Sequence, residues 1–154
     1  EIMPSLVGSE MCIRDSKSII SGTINFSLKK GQGKGVRFLK FKNFMDDLYN
    51  EHGGITHVYY ESVMHHSGVI ASHVYGGFSG ILMYWCESFG ICYEGIKPTV
   101  IKKCIAGNGN ASKQDVIAAV KMLGFRPKDH NEADAIALLQ IAMSDLNIKN
   151  RLKR

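Results

Sequence analysis

Thr56-His57-Val58-Tyr59-Tyr60-Glu61 is the stretch on which the fold turns. Its β-branched and aromatic side chains read as a buried strand. The strand ends on a carboxylate, and open α/β sheets set their working groups at the carboxyl ends of strands. Glu61 is therefore either a functional acid or the first residue of a solvated loop.

The surrounding chain has 154 residues, enough for one domain with a real core. Its 45% hydrophobic and 21% charged content is that of an ordinary soluble globular protein. No apolar run approaches the roughly 20 residues that a membrane span needs. Cys12, Cys86, Cys92 and Cys104 make no CxxC pair, which argues against a zinc or redox motif and fits a reducing cytosol. The net charge of +5 is compatible with a polyanionic partner. Lys29, Lys30, Lys34, Arg37, Lys40 and Lys42 occupy a window without an acid, and Lys149, Arg151, Lys153 and Arg154 lie at the end of the chain. Each run either meets phosphate or is simply solvated.

Residues 1–16, EIMPSLVGSEMCIRDS, show neither alternation nor helical period and lack the regions of a signal peptide. They resemble translated sequencing-adapter sequence standing in place of a natural start, and are expected to lie outside the fold.

From Thr23 to Leu28 polar and apolar residues alternate as in a half-buried strand. LKKGQGKG (28–35) is a basic glycine-rich loop without the spacing of a Walker motif. Phe38, Phe41, Met45 and Leu48 place a helix over 37–51, which Gly53-Gly54 stops. After Glu61, a loop carries His65 and His66. A long helix then presents Ile70, Val74, Phe78, Ile81, Leu82, Trp85 and Phe89 on its buried face. Gly76, Gly77 and Gly80 inside it point to close packing against the sheet. A strand over 91–96, a short helix over 100–105 and a capped helix opening at Ser112 follow, the last burying Val116, Ile117, Val120 and Leu123. A final helix runs from Asn131 to about Leu146. This order indicates an α/β fold, a mixed sheet covered by helices.

The final helix opens with Asp129, His130, Asn131, Glu132 and Asp134. Asn131 suits an N-cap and Asp134 suits the helix dipole. Alternatively, Asp134 and the strand-end Glu61 together hold Mg²⁺ or Mn²⁺, which prefer oxygen ligands. Paired ions of this kind cleave phosphodiesters, but they need a further carboxylate. Asp46 and Asp47, in mid-helix, do not supply it.

YYES (59–62), SHVYGGFSGIL (72–82), PTVIKKCIAGNGNASK (98–113) and DHNEADAIALL (129–139) together resemble the RuvC-type Holliday-junction endonucleases, the phage and prophage branch above all. The resemblance runs in matching order from about Gly22 to Leu139. It implies an RNase H-like fold, a five-stranded mixed sheet with helices on both sides, over a domain of residues 17–146 followed by a basic tail, 147–154. It implies a homodimer in the cytoplasm of a bacterial or phage-infected cell, nicking branched DNA with Mg²⁺ or Mn²⁺. Glu61 and Asp134 match metal ligands, with Asn131 at a further ligand position to which Glu132, Asp129 or His130 is the alternative contributor, and Glu132 and Lys102 assisting catalysis. Lys29, Lys30, Lys34, Arg37, His65, His66, Lys102, Lys103, Asn108, Asn110 and Lys113 are the expected DNA contacts.

One departure is large. The family begins with a strand bearing a metal-binding Asp, where this chain has its foreign-looking segment. Asp15 lies in the right region without the motif around it. The chain is therefore expected to lack a central strand and a catalytic carboxylate, and to be inactive or nearly so. A catalytically silent module binding branched DNA is the competing reading. A nucleotide-binding enzyme is a third, against which the loop spacings argue.

Overall fold

The computed structural model describes residues 3–7, 10–14, 19–64 and 68–152, with side chains described over 24–64 and 68–144. The opening stretch is a strand, His57–Glu61, flanked by parallel neighbours on both sides. In chain order the elements are β1 (Met3–Val7), β2 (Glu10–Arg14), β3 (Ile19–Thr23), α1 (Val36–Glu51), β4 (His57–Glu61), α2 (Val69–Phe89), β5 (Cys92–Ile96), α3 (Pro98–Ala106), α4 (Lys113–Met122) and α5 (His130–Leu152). The sheet order is β3-β2-β1-β4-β5. The first three strands form an antiparallel meander, and β1, β4 and β5 run parallel. This is the mixed, helix-covered RNase H-like sheet that the sequence implies.

Two expectations about the amino-terminal part are corrected. Residues 1–16 do not stand outside the fold, because Met3–Val7 supplies the central strand and Glu10–Arg14 its antiparallel neighbour. Strand pairing is made by backbone groups, so a short apolar stretch such as Met3–Val7 can fill the place without any family motif. The strand expected over 23–28 lies earlier, at Ile19–Thr23. The chain leaves the sheet near Asn25, whose side chain accepts from the Ser27 amide at 2.8 Å and so turns the backbone aside. Phe26 still reaches the core, where it meets Phe41 edge-on.

Side chains alternate across β4, and the two faces of the sheet are packed differently. Tyr59 belongs to a core with Ile101 of α3, Val116 and Val120 of α4, and the Ala- and Leu-rich face of α5. Ala133, Ala135, Ala137 and Ala142 are fully buried there. Methyl side chains let the α5 backbone lie close to the strands. Val58 faces the other way, into an aromatic core of Phe26, Phe41 and Trp85 under α1 and α2. Asp46 of α1 ties these two helices by accepting from the Trp85 indole at 2.9 Å.

Helix ends follow local chemistry. Gly54 donates to the Tyr49 carbonyl at 2.8 Å at the end of α1, and Gly90 closes α2 in a left-handed conformation, φ 65°. Ser112 and Asp115 form the expected capping box of α4. At α5 the capping residue is Asp129, not Asn131: its carboxylate accepts from the Glu132 amide at 2.9 Å. The helix also outruns its expected end, continuing through the proposed tail to Leu152.

Three burial expectations change as well. Leu123 follows the last turn of α4 and is 52% exposed. Ile70 and Phe89, at the two ends of α2, are also exposed. Of the α2 glycines, only Gly77 is packed tightly, and against the Phe38 ring of α1, not against the sheet; Gly76 and Gly80 face open space.

Candidate functional site

Glu61 ends β4, half-buried. Pairing with β5 continues one residue past it, through the Ser62 amide to the Ile96 carbonyl at 2.8 Å. Tyr75 of α2 then pins the turn twice. Its hydroxyl donates to the Glu61 carbonyl and accepts from the Val63 amide, each at 3.0 Å. Across the pair, Gly95 stands opposite Tyr60. A Cβ at Gly95 would come within 2.9 Å of the Tyr60 ring, so the strand end needs a residue without a side chain there. Neither Tyr75 nor Gly95 was singled out from sequence. A glycine inside the strand pattern YEGI was the available signal for Gly95; Tyr75 carried none.

The fold brings two other expected site residues to this carboxylate. Burial raises the Glu61 pKa above its ordinary value; the Asp134 carboxylate raises it further, while the Lys102 ammonium lowers it. Asp134 of α5 and Lys102 of α3 thus both act on the carboxylate of β4. Two carboxylates within each other's field in a partly desolvated place favour a proton or a cation there.

The remaining expected residues have other surroundings. Glu132 is only 5% exposed and accepts from the Lys128 amide at 2.8 Å, so its carboxylate is engaged with the start of α5. Asp129 is engaged there too. Asn131, half-buried, sits in the first turn of the same helix. Lys103 is exposed in the last turn of α3, apart from the half-buried Lys102. Asn108 folds back to accept from the Asn110 amide at 3.0 Å, shaping the loop before α4, and Lys113 is exposed at the first position of that helix. In the basic window, Lys40 donates to the Ser27 carbonyl and Lys42 pairs with Asp46. Lys29, Lys30 and Lys34 are exposed, and Arg37 is half-buried. His65, His66 and Asp15 lie outside the described residues.

Glu61 and Asp134 suit one hard divalent ion, since Mg²⁺ is commonly held by one or two carboxylates with water completing its shell. They do not by themselves suit a pair of ions. Among the described residues no group of three His, Cys, Asp or Glu side chains is placed to hold a metal. The central strand adds nothing, because Met3–Val7 contains no acid. Burial pushes the Cys86 thiol up to about 12, which leaves it inert at neutral pH. Among the described residues no helix is long and apolar enough to cross a membrane.

No family model matches the sequence, and no curated protein matches it. The fold, however, is similar to that of RuvC from Thermus thermophilus. One structure of that protein shares 14% identity over 90% of each chain, with a TM-score of 0.65. A second, in complex with Holliday junction substrate, shares 14% identity over 89% of each chain, with a TM-score of 0.69. The chain has a RuvC-like fold.

Proposed function

We propose that this fold serves a structure-selective endonuclease that nicks branched DNA, four-way junctions above all, by metal-dependent phosphodiester hydrolysis. The observation that carries the proposal is the convergence of Glu61, Asp134 and Lys102 at the carboxyl end of β4. Glu61 and Asp134 would hold Mg²⁺ or Mn²⁺, and Lys102 would neutralise charge on the phosphoryl group. Such an ion, when bound, supplies Lewis acidity and an activated water. Lys29, Lys30, Lys34, Arg37, Lys103 and Lys113 are assigned to the DNA backbone. A homodimer would offer two such sites to the two-fold symmetry of a junction.

The present chain is nonetheless proposed to nick weakly or not at all. A cleavage site of this kind needs a further carboxylate on the strand beside β4, and β1 reads Met-Pro-Ser-Leu-Val. That same observation favours the second reading, a silent module that binds branched DNA. Nicking and binding of a labelled four-way junction separate the two. Binding with a preference for the junction over duplex, weakening as salt rises because phosphate contacts release counterions, supports both. Nicking in Mn²⁺ that Glu61→Gln abolishes would defeat the claim that this chain is silent. Absence of any junction preference would defeat the function.

A further inference from the structure

The first turns of α1 and α2 border a cavity of about 370 Å³, a size found among small-molecule sites. Its walls are of two kinds. Leu28, Phe38 and Val74 provide apolar surface, and Ile70, which lines the cavity yet is 81% exposed, stands at its mouth. Lys34, Arg37 and His73 provide the polar side, and among the described residues no acid lines it. Neither helix has an acid in its first turn or a side-chain cap, so their positive ends add to the same potential. The half-buried Arg37 lines this wall, and a guanidinium presents paired donors that match phosphate oxygens.

An inorganic anion would satisfy only the cationic side, and a hydrocarbon only the apolar one. A nucleotide satisfies both. We infer that the cavity receives one unpaired nucleotide of a DNA strand, its base against Phe38 and its phosphate on Arg37 and Lys34. The inference rests on reading the chain as a DNA-binding protein, and it does not depend on cleavage. Val74 lines the cavity, and the next residue, Tyr75, holds the Glu61 carbonyl. Duplex DNA, with its bases stacked inside, offers no unpaired nucleotide to seat there.

The test compares a short fluorescent oligothymidylate with an abasic oligomer carrying the same number of phosphates. The expected result is about fivefold or tighter binding of the oligomer with bases, the lower end of what stacking one base on an aromatic ring contributes. Ile70→Glu, which sets a carboxylate at the mouth beside the base, should erase that difference, whereas Arg37→Gln should weaken both oligomers alike. Ile70 is exposed, so an unchanged Tm and circular dichroism spectrum will confirm that its variant folds. Equal binding of the two oligomers, or a difference that survives Ile70→Glu, overturns the inference. Competition by dTMP as strong as by the oligomer also overturns it, in favour of a free nucleotide. Junction-over-duplex preference is measured in parallel. Its loss while the base-dependent difference persists would sink the proposed function and support the cavity's role.

Discussion

Strands β1 and β4 lie side by side, parallel, with Ser5 opposite Tyr59 and Leu6 opposite Tyr60. They share a sheet, a direction and a helix cover, but only β4 ends on an acid. The contrast separates two things that a fold family normally delivers together. Pairing depends on backbone groups and tolerates Met-Pro-Ser-Leu-Val. Chemistry depends on single side chains and does not. A chain can therefore keep a RuvC-like architecture while its central strand carries no acid beside Glu61.

The largest effect should come from making β1 resemble β4. By register Val7 follows Leu6 at the level of Glu61, and Ser5 lies two residues earlier on the strand. Val7→Asp or Ser5→Asp should raise junction nicking in Mn²⁺ by on the order of a hundredfold or more, the scale of one well-placed electrostatic group. A gel assay on labelled four-way junctions reads it, and no gain at either position would break the comparison. The reverse experiment makes β4 resemble β1. Glu61→Gln or Asp134→Asn should weaken Mn²⁺ binding about tenfold, followed by calorimetry, since lost ligation carries that cost at the least.

A smaller effect tests the frame around Glu61. Gly95→Val drives a side chain into the Tyr60 ring and should cost about 1–3 kcal/mol, the range for overpacking. Gly80→Ala, placed in open space on α2, should instead gain up to about 1 kcal/mol. Urea unfolding distinguishes the two, and equal changes would show that the strand end has slack. Tyr75→Phe should cost about 1 kcal/mol for the lost bridging hydroxyl.

The smallest effect is electrostatic. In the folded state Glu61 keeps its proton to a higher pH than its ordinary value of 4.5, through burial first and Asp134 second. Stability therefore falls as pH rises from the ordinary value through the folded one, and the loss persists above both. Without metal, Glu61→Gln should melt at a higher temperature than the parent chain near neutral pH, with the gap closing below about pH 4.5. A gap that instead widens in acid would reverse the assigned cause.

Much of this molecule is legible in its sequence. β4, α1, α2 and the Ser112 capping box follow from periodicity and capping, because burial and orphaned amides act locally. The convergence of Glu61, Asp134 and Lys102 follows from a resemblance spread over four motifs, not from any one of them. Other features were hidden for physical reasons. Met3–Val7 has no amphipathic pattern of its own and takes its conformation from its neighbours. Asp129, not Asn131, caps α5 because the helix begins one residue earlier than its pattern suggests, and ends of this kind are set by hydrogen bonds that periodicity does not resolve. The Arg37 cavity needs side chains such as Arg37 and Ile70 that lie more than thirty residues apart in sequence.

The two hydrogen bonds of the Tyr75 hydroxyl join the end of β4 to α2. With its hydroxyl proton on the Glu61 carbonyl and its oxygen accepting the Val63 amide, the chain on either side of Ser62 is clamped to α2. The acid and the helix then behave as one mechanical body. An occupant that prefers one setting of α2 and a cation that prefers the matching setting of Glu61 must strengthen each other by equal factors. If the cavity seats a strand and Glu61 holds an ion, as proposed, the two events become readings of a single equilibrium.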